Sequence, residues 1–283
     1  MAATARASRV WTPAHYLRFG SERLRPAVDM LTQARHSLAQ RGPQESDMKI
    51  ADLGCGTGNI SEFLMDAFPD ARIECVDSSP EMLATARQSH QEQGIGKDNI
   101  TYTQADFETF TASSLDLIFS NSALHWVSFD VHQRLLPRYM SFLKPGGVLA
   151  FQIPDTRSQP SHLLMAEAAR QLGFQDRIAS TRWVTCERDP EDYFKVLSPL
   201  CASINMWHTN FTHILEGENP VADFTASTGL GPYVDALGGK ESEDGKAFVV
   251  KYRELIASAY PKQEGGKTLF HFNRFFVVAE KRA

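Results

Sequence analysis

Three glycines at alternate positions follow a short apolar run. Residues 49–60 read KIADLGCGTGNI, so the glycines are Gly54, Gly56 and Gly58, with Asp52 just ahead of them. A loop between a strand and a helix places backbone N–H groups and the positive end of the helix against a ligand, and glycine permits close approach and positive φ angles. The loop is therefore predicted to bind a nucleotide-type ligand.

Three nucleotide-type ligands compete for this loop. The phosphate loop of NTPases requires lysine and then serine or threonine after the glycines, whereas Gly58 precedes Asn59 and Ile60. The dinucleotide fingerprint spaces its glycines as G-x-G-x-x-G, which differs from the spacing here. The carboxylate of Asp52 also does not suit a loop that binds an anion, because like charges repel. S-adenosylmethionine has a sulfonium centre and an ammonium group, which tolerate a carboxylate, so the loop favours this cofactor.

Two further acids follow the next two strands. Asp77 ends the second strand, where a carboxylate can accept the two ribose hydroxyls of a nucleoside. Asp106, in QADF after the third strand, can accept from the adenine amino group, with Phe107 beside the base. Each acid alone is equally consistent with a turn or a helix cap. Three acids in register after three successive strands indicate a cofactor site.

The chain around these acids alternates between strand and helix patterns. The strand candidates are 49–53, 72–76, 100–104, 115–119 and 147–153, and the helical segments between them are 59–67, 79–92 and 130–143. Ser78 or Ser79 followed by Pro80 and Glu81 is typical of a helix start. Because parallel neighbours need crossover helices, this order predicts a doubly wound, mostly parallel, Rossmann-like sheet of seven strands in all.

The alternation loosens after residue 153. Helices are predicted at 160–174, 189–197, 218–228, 231–238 and 244–259, and strands at 203–214 and 267–280. These helices are too many for crossovers, so part of the region is predicted to form a helical cap over the carboxyl edge of the sheet. The predicted parts are an N-terminal helical lid and loop (1–47), a cofactor-binding core (48–153), a cap with one core strand (154–266) and a final core strand (267–283).

Composition excludes several partners and sites. The net charge of −5, with no run of five or six like charges, gives no footprint for nucleic acid or a membrane surface. The chain has no predicted signal peptide or membrane span, so we expect a cytoplasmic protein, and a monomer is the favoured state. The cysteines stand in unrelated contexts, which predicts free thiols and no metal site: Cys55, Cys75, Cys186 and Cys201.

The order of the motifs resembles the class I S-adenosylmethionine-dependent methyltransferases. The resemblance covers residues 49–153 through DLGCGTGN, VDSSPEML, QADF, LDLIFSNSALHWV and LKPGGVLAFQIPD. The flanking segments WTPAHYLRFGSERLRPAVDML, IPDTRSQPSHLLM, STGLGPYVDAL and FNRFFVVAEKR are similar to the trans-aconitate methyltransferase family almost end to end. This implies methyl transfer to a carboxylate oxygen of a small polycarboxylic acid, under a lid formed by residues 16–25. The resemblance adds these cofactor contacts: Ser78, Met82, Ala105, Asn121 and Leu124.

Esterification constrains the acceptor site. A carboxylate, with a pKa of about 4, is already ionised at neutral pH, so no residue is expected to act as general acid or base. Cationic groups should hold the carboxylates that do not react. The candidate cations are Arg25, Arg182, Arg188 and Arg274, with Tyr16 and His125 near the methyl group and Trp126 as a wall. The spacing equally allows ion pairs of Arg25 with Asp29 and of Arg188 with Glu191 or Asp192.

Some positions depart from the pattern of that family, and two of them bear on the acceptor. His125 stands where its bacterial members have glutamine, and Gly231 stands where they have arginine. With one arginine fewer, a dicarboxylate is expected to rival trans-aconitate. Two alternatives stay open: a methyltransferase for another nucleophile (a phenol, amine or carbon acid), in which His125 or Tyr16 serves as a base for a phenol or amine, and a protein that binds the cofactor without turnover.

Overall fold

The computed structural model describes residues 20–40, 47–96, 98–226 and 228–282. Within these ranges the chain forms one sheet of seven strands in the order β3-β2-β1-β4-β5-β7-β6. The strands are β1 (Lys49–Leu53), β2 (Arg72–Asp77), β3 (Ile100–Gln104), β4 (Leu115–Asn121), β5 (Leu143–Pro154), β6 (Cys201–Leu215) and β7 (Thr268–Lys281). Strand β7 runs in the opposite direction to the other strands and therefore pairs antiparallel with both of its neighbours, β5 and β6. The doubly wound, mostly parallel fold is confirmed.

Ten α-helices accompany the sheet in the described ranges. They are α1 (Gly20–Ala39), α2 (Ser61–Ala67), α3 (Pro80–Gln93), α4 (Phe129–Phe142), α5 (Pro160–Gln171), α6 (Gln175–Ile178), α7 (Pro190–Leu197), α8 (Pro220–Ala226), α9 (Gly231–Ala236) and α10 (Glu243–Ala259). The predicted cap of α3 forms, since Ser79 Oγ accepts from the Met82 N–H at 3.2 Å and Pro80 follows. None of the helices in these ranges is long and apolar enough to cross a membrane.

Apolar clusters bury both faces of the sheet. On one face, α4 and α7 pack Tyr139 and Tyr193 against Phe275 of β7. On the other face, α1 and α2 pack against a cluster that includes Phe276, the next residue of the same strand. Neighbouring residues of a strand point to opposite faces, so this alternation fixes which side chains share a face with which helices.

A third cluster contains the additional helices of the second half. Helices α5, α8, α9 and α10 pack against Leu215 at the end of β6 and against Phe270 and Phe272 near the start of β7. Because β7 is antiparallel, its first residues lie at the carboxyl edge of the parallel strands. The helices therefore lie beside the edge at which the glycine loop leaves β1. This cluster packs on β6 and β7, which are strands of the same sheet as the core. The division of the chain into four parts stays a prediction.

Several element boundaries differ from the predicted ones. Strand β5 begins at Leu143, so the KPGG run lies in a strand with an irregular register to β4, where Gly146 has a φ of +70°. Helix α5 ends at Gln171, because Gly173 adopts a φ of +72° and a separate turn of helix, α6, follows. A 3₁₀ turn at Leu124–Trp126 was also not predicted. The four cysteines are free and buried.

Candidate active site

The three loop glycines all adopt positive φ angles, of +73°, +56° and +78°. A Cβ on Gly54 would lie 2.3 Å from that of Ala123, and a Cβ on Gly58 would lie 2.6 Å from Nε2 of His90. A Cβ on Gly56 would meet no described heavy atom within 4 Å. The first and third glycines are therefore required by packing, whereas the second borders open space that a ligand can enter.

Asp77 at the end of β2 holds the glycine loop. Its Oδ2 accepts from the Gly56 N–H and its Oδ1 from the Ser79 N–H, both at 2.9 Å. Burial raises the pKa of Asp77, and the backbone N–H groups that donate to it act in the opposite direction. The carboxylate predicted to accept the ribose hydroxyls therefore also connects the loop to the start of α3.

Asp52 is a buried carboxyl group at the base of the loop. It is 1% exposed, and its Oδ2 has no hydrogen-bond partner among the described residues. Burial, and then the charge of Asp77, raise its pKa to about 7. An unpaired carboxylate is costly in such a place, and a ligand ammonium group would satisfy it. The orphan oxygen and the open space at Gly56 fit S-adenosylmethionine.

The raised pKa of Asp52 predicts proton-linked cofactor binding. An ammonium group favours the anionic carboxylate, so affinity for S-adenosylhomocysteine should fall as the pH drops through about 7, and binding near that pH should release protons. The variant Asp52→Asn should bind more weakly at high pH and lack this release. Calorimetry in buffers of different ionisation enthalpy measures it. Equal proton release by both proteins would remove Asp52 from the ammonium site.

The same shift has an opposite effect on the stability of the cofactor-free protein. A carboxyl group with a raised folded pKa takes up protons on folding, so its charge destabilises the fold increasingly as the pH rises from 3.8 towards about 7. The Asp52→Asn variant should consequently melt at a higher temperature than the wild type above pH 7 without the cofactor. This comparison separates loss of the ligand contact from damage to the fold.

The loop after β3 approaches the first glycine. Ala105 N donates to the Asp77 carbonyl at 3.1 Å, and the Phe107 ring would lie 3.5 Å from a Cβ on Gly54. Asp106 Oδ1 accepts from the backbone of Glu108 and Thr109, which is the turn-capping role that the sequence allowed. The roles of Ala105, Asp106 and Phe107 at the adenine stay predictions.

A row of polar side chains crosses the sheet at its carboxyl edge. Asn121 on β4 pairs with Gln152 on β5, and Gln152 pairs with Phe276 on β7, two residues from Arg274. Gln152 Nε2 donates to Asn121 Oδ1 and to Ser122 Oγ. Arg274 Nη1 donates to Ser122 Oγ at 2.7 Å and to Gln152 Oε1 at 3.2 Å. The row joins a predicted cofactor residue to a predicted acceptor residue.

His125 lies in the 3₁₀ turn after β4. It is buried, its Nδ1 has no hydrogen-bond partner among the described residues, and its ring centroid lies 5.4 Å from that of Trp126. Burial, and next the positive charges of Arg274 and Arg182, hold the pKa of His125 well below its usual range. The imidazole is therefore neutral near pH 7, and the positive charge of Arg274 acts on it.

The other candidate cations have local partners. Arg182 donates from Nε to Glu187 and from Nη2 to the carbonyls of His125 and Val127, so it braces the turn that carries His125. Arg25 forms the exposed pair with Asp29 that its spacing allowed. Arg188 lies over the Phe129 ring, and it forms no ion pair with Glu191 or Asp192, which are both within the described residues. Tyr16 lies outside the described residues. Substrate contacts by these residues stay predictions.

The remaining predicted cofactor residues lie close to these elements. Ser78 links β2 to the Ser79 cap, Met82 lies buried in the first turn of α3, and Leu124 lies buried in the 3₁₀ turn. Their contacts with the cofactor stay predictions. The structure brings their elements to the same carboxyl edge as the glycine loop.

Three residues of the carboxyl edge and the cap were not predicted from the sequence. Gln152 interrupts the apolar run VLAFQIP, and that lone polar residue was the available signal. In the cap, His162 stacks on Trp183 with ring centroids 6.2 Å apart, and burial lowers the pKa of His162 to about 3. Trp183 Nε1 donates to Thr156 Oγ1. No spacing rule connects these residues along the chain.

The sheet order and the glycine loop with its acids define a class I methyltransferase that uses S-adenosylmethionine. Residues 50–147 match the sequence model of a methyltransferase domain. The chain is 41% identical to a trans-aconitate 2-methyltransferase of Streptomyces avermitilis, over 96% of this chain and 97% of that one. It is 36% identical to one of Rhodopseudomonas palustris, over 96% and 99%. The chain belongs to the trans-aconitate 2-methyltransferase family.

Solved structures support the fold alone. The YcgJ protein of Bacillus subtilis superposes with a TM-score of 0.54 at 17% identity, over 88% of this chain and 99% of that one. The plantazolicin methyltransferase BpumL, solved with S-adenosylhomocysteine, superposes with a TM-score of 0.52 at 12% identity, over 96% and 90%.

Proposed function

We propose that the protein transfers a methyl group to a carboxylate oxygen of a small di- or tricarboxylic acid, with trans-aconitate as the reference acid. The observation that carries this proposal is Arg274, a guanidinium 2% exposed at the carboxyl edge. Its Nη1 donates to Ser122 Oγ and to Gln152 Oε1, which holds the guanidinium at this edge. A guanidinium in this place is a suitable donor to a carboxylate of the acceptor. The relatives named for trans-aconitate support the same choice.

The cofactor contacts follow from the loop and its acids. Asp52 would accept from the ammonium group, the backbone around Gly56 would lie along the amino-acid part, and Asp77 would accept from the ribose hydroxyls. When bound, S-adenosylmethionine supplies an electrophilic methyl group on a sulfonium centre. The role of the chain is to orient both ligands and to keep water out.

Positioning replaces acid–base chemistry in this proposal. The acceptor is already an anion, so the reaction needs one oxygen in line with the methyl group at near-attack distance. Arg274 would hold a carboxylate that does not react, since a guanidinium clamped on the reacting oxygen would reduce its nucleophilicity. His125, held neutral, would orient the acceptor and would not act as a base, because the acceptor carboxylate is already ionised. Aromatic walls such as Trp126 would exclude water from the reacting pair.

The pH profile of turnover tests this mechanism. At saturating cofactor, kcat of the wild type should be flat between about pH 6 and 8, the range in which an ordinary histidine titrates. The variant His125→Ala should have a lower kcat with the same flat profile, because only positioning is lost. His271→Ala removes an exposed histidine and is the control. A wild-type ionisation in this range that His125→Ala abolishes would favour a phenol or amine acceptor instead.

A further inference from the structure

We propose that Gln152 is a positioning residue for the acceptor: it fixes the guanidinium of Arg274 and ties it to Asn121 on the cofactor side. This inference rests on the proposed function, because Arg274 must hold an acceptor carboxylate for the role to matter. It goes further by assigning the selectivity for diacids to a side chain that need not touch either ligand.

The hydrogen bonds of Gln152 run in both directions. Its Nε2 donates to Asn121 Oδ1 and to Ser122 Oγ, while its Oε1 accepts from Arg274 Nη1 at 3.2 Å. Ser122 Oγ also accepts from Arg274 Nη1 at 2.7 Å, and the Ser122 N–H donates to the Gln152 carbonyl at 3.0 Å. One primary amide thus contacts every other member of the row, which makes it the centre of the network.

The burial of Gln152 means that its hydrogen bonds fix the orientation of its partners. Its side chain is fully buried, and its neighbours on the adjacent strands are Asn121 of β4 and Phe276 of β7. A buried amide is tolerated only when its polar atoms are paired, and a fully paired network limits the rotamers of its members. Ser122, with a φ of +52°, adopts a backbone conformation that side chains rarely take, and its hydroxyl thereby meets both Gln152 and Arg274.

The chemistry at this position requires an amide. Methionine has a similar length but would offer neither the donor to Asn121 nor the acceptor to Arg274. Glutamate keeps the acceptor, loses the two donated bonds when ionised, and would place an anion beside Arg274 that competes with the carboxylate of the acceptor. The two replacements therefore disturb Arg274 in different ways, and this difference can be measured.

The test compares Gln152→Met and Gln152→Glu with the wild type on trans-aconitate, an unsaturated diacid and its matched monoacid. In Gln152→Met, the diacid-to-monoacid ratio of kcat/KM should fall about tenfold, through KM of the diacid. In Gln152→Glu, it should fall roughly a hundredfold because the charge of Arg274 is neutralised. Monoacid turnover should change little in either variant, because a monoacid has no second carboxylate for Arg274 to hold.

Two further variants guard against effects of folding. Lys144→Met changes a residue near the start of β5, the strand that carries Gln152, and removes its ion pair with Asp116. It should leave the diacid-to-monoacid ratio of kcat/KM unchanged. Ser122→Gly keeps the positive φ, deletes the hydroxyl and should give a smaller fall of the same ratio, so the inference stays testable if Gln152→Met does not fold.

The outcomes separate the inference from the function on which it rests. A wild type that methylates no acid overturns the proposed function and this inference with it. A wild type that prefers diacids, together with Gln152 variants that lose activity equally on all three acids, assigns Gln152 a purely structural role and overturns this inference alone. Selective loss in Gln152→Glu and Ser122→Gly, with none in Lys144→Met, supports it.

Discussion

Replacing Arg274 with methionine is expected to remove most of the preference for diacids. The guanidinium is buried and donates to Ser122 and Gln152, and under the proposed function it forms a charge-assisted contact with the carboxylate that does not react. Loss of such a contact costs about 1.5–3 kcal/mol, roughly ten- to a hundredfold in kcat/KM. Steady-state kinetics on trans-aconitate, a matched unsaturated diacid and its monoacid measure the effect, and the monoacid should be nearly unaffected.

A matched variant controls this experiment. Arg170→Met makes the same change in an exposed arginine that pairs with Glu167 on α5, and it should leave all three acids unchanged. In the wild type, the diacid should rival trans-aconitate, because Gly231 supplies no side chain at the start of α9 for a third carboxylate. An equally good monoacid in the wild type, or an equal loss on all three acids in Arg274→Met, would contradict the assignment of Arg274.

Replacing Asp77 with asparagine is expected to weaken cofactor binding by about ten- to a hundredfold. The neutral amide is a poorer acceptor for ribose hydroxyls than a carboxylate, which costs about 1.5–3 kcal/mol. Asparagine is preferable to alanine, because it keeps one oxygen that can accept from the Gly56 or the Ser79 N–H group, whereas alanine would remove both acceptors. Calorimetry with S-adenosylhomocysteine gives the affinity without turnover.

The neighbouring acid Glu81 supplies the control for Asp77. It is exposed and accepts from Ser79 Oγ in the same helix cap, so Glu81→Gln disturbs the cap but not the loop. Its affinity for S-adenosylhomocysteine should equal that of the wild type. If Asp77→Asn also binds like the wild type, Asp77 has only the structural role seen in its bonds to Gly56 and Ser79.

The succession of strands and helices in residues 49–153 and the glycine loop were predictable because their signals are local. Short apolar runs, with Asp52 just before the end of the first and Asp77 at the end of the second, and glycines at fixed spacing specify a strand, a turn and a helix. The start of β5 was missed because the KPGG run is typical of a helix end, whereas pairing with β4 extends the strand across it. The end of α5 just before Gly173 and the start of α8 at Pro220 each depend on a single residue, so their exact positions were harder to predict.

The acceptor side was less predictable because its contacts connect distant segments. Arg182 was a candidate substrate ligand, yet it braces the carbonyl of His125, 57 residues away in sequence. Arg274 was recognised from its place in an apolar run, but its bonds to Ser122 and Gln152 span more than a hundred residues. The sequence pattern of a single strand or helix does not predict such a network, because its members come together only when the strands pair.

Product identification with methyl-labelled S-adenosylmethionine tests the central claim most directly. The purified protein is incubated with trans-aconitate, the matched diacid and the monoacid, together with a phenol and an amine of similar size, and the products are examined by mass spectrometry before and after mild alkaline hydrolysis. The account predicts one labelled methyl group on the polycarboxylic acids, bound as an ester that alkali releases. A labelled product only from the phenol or the amine, or an alkali-stable methyl group on the acids, would contradict it.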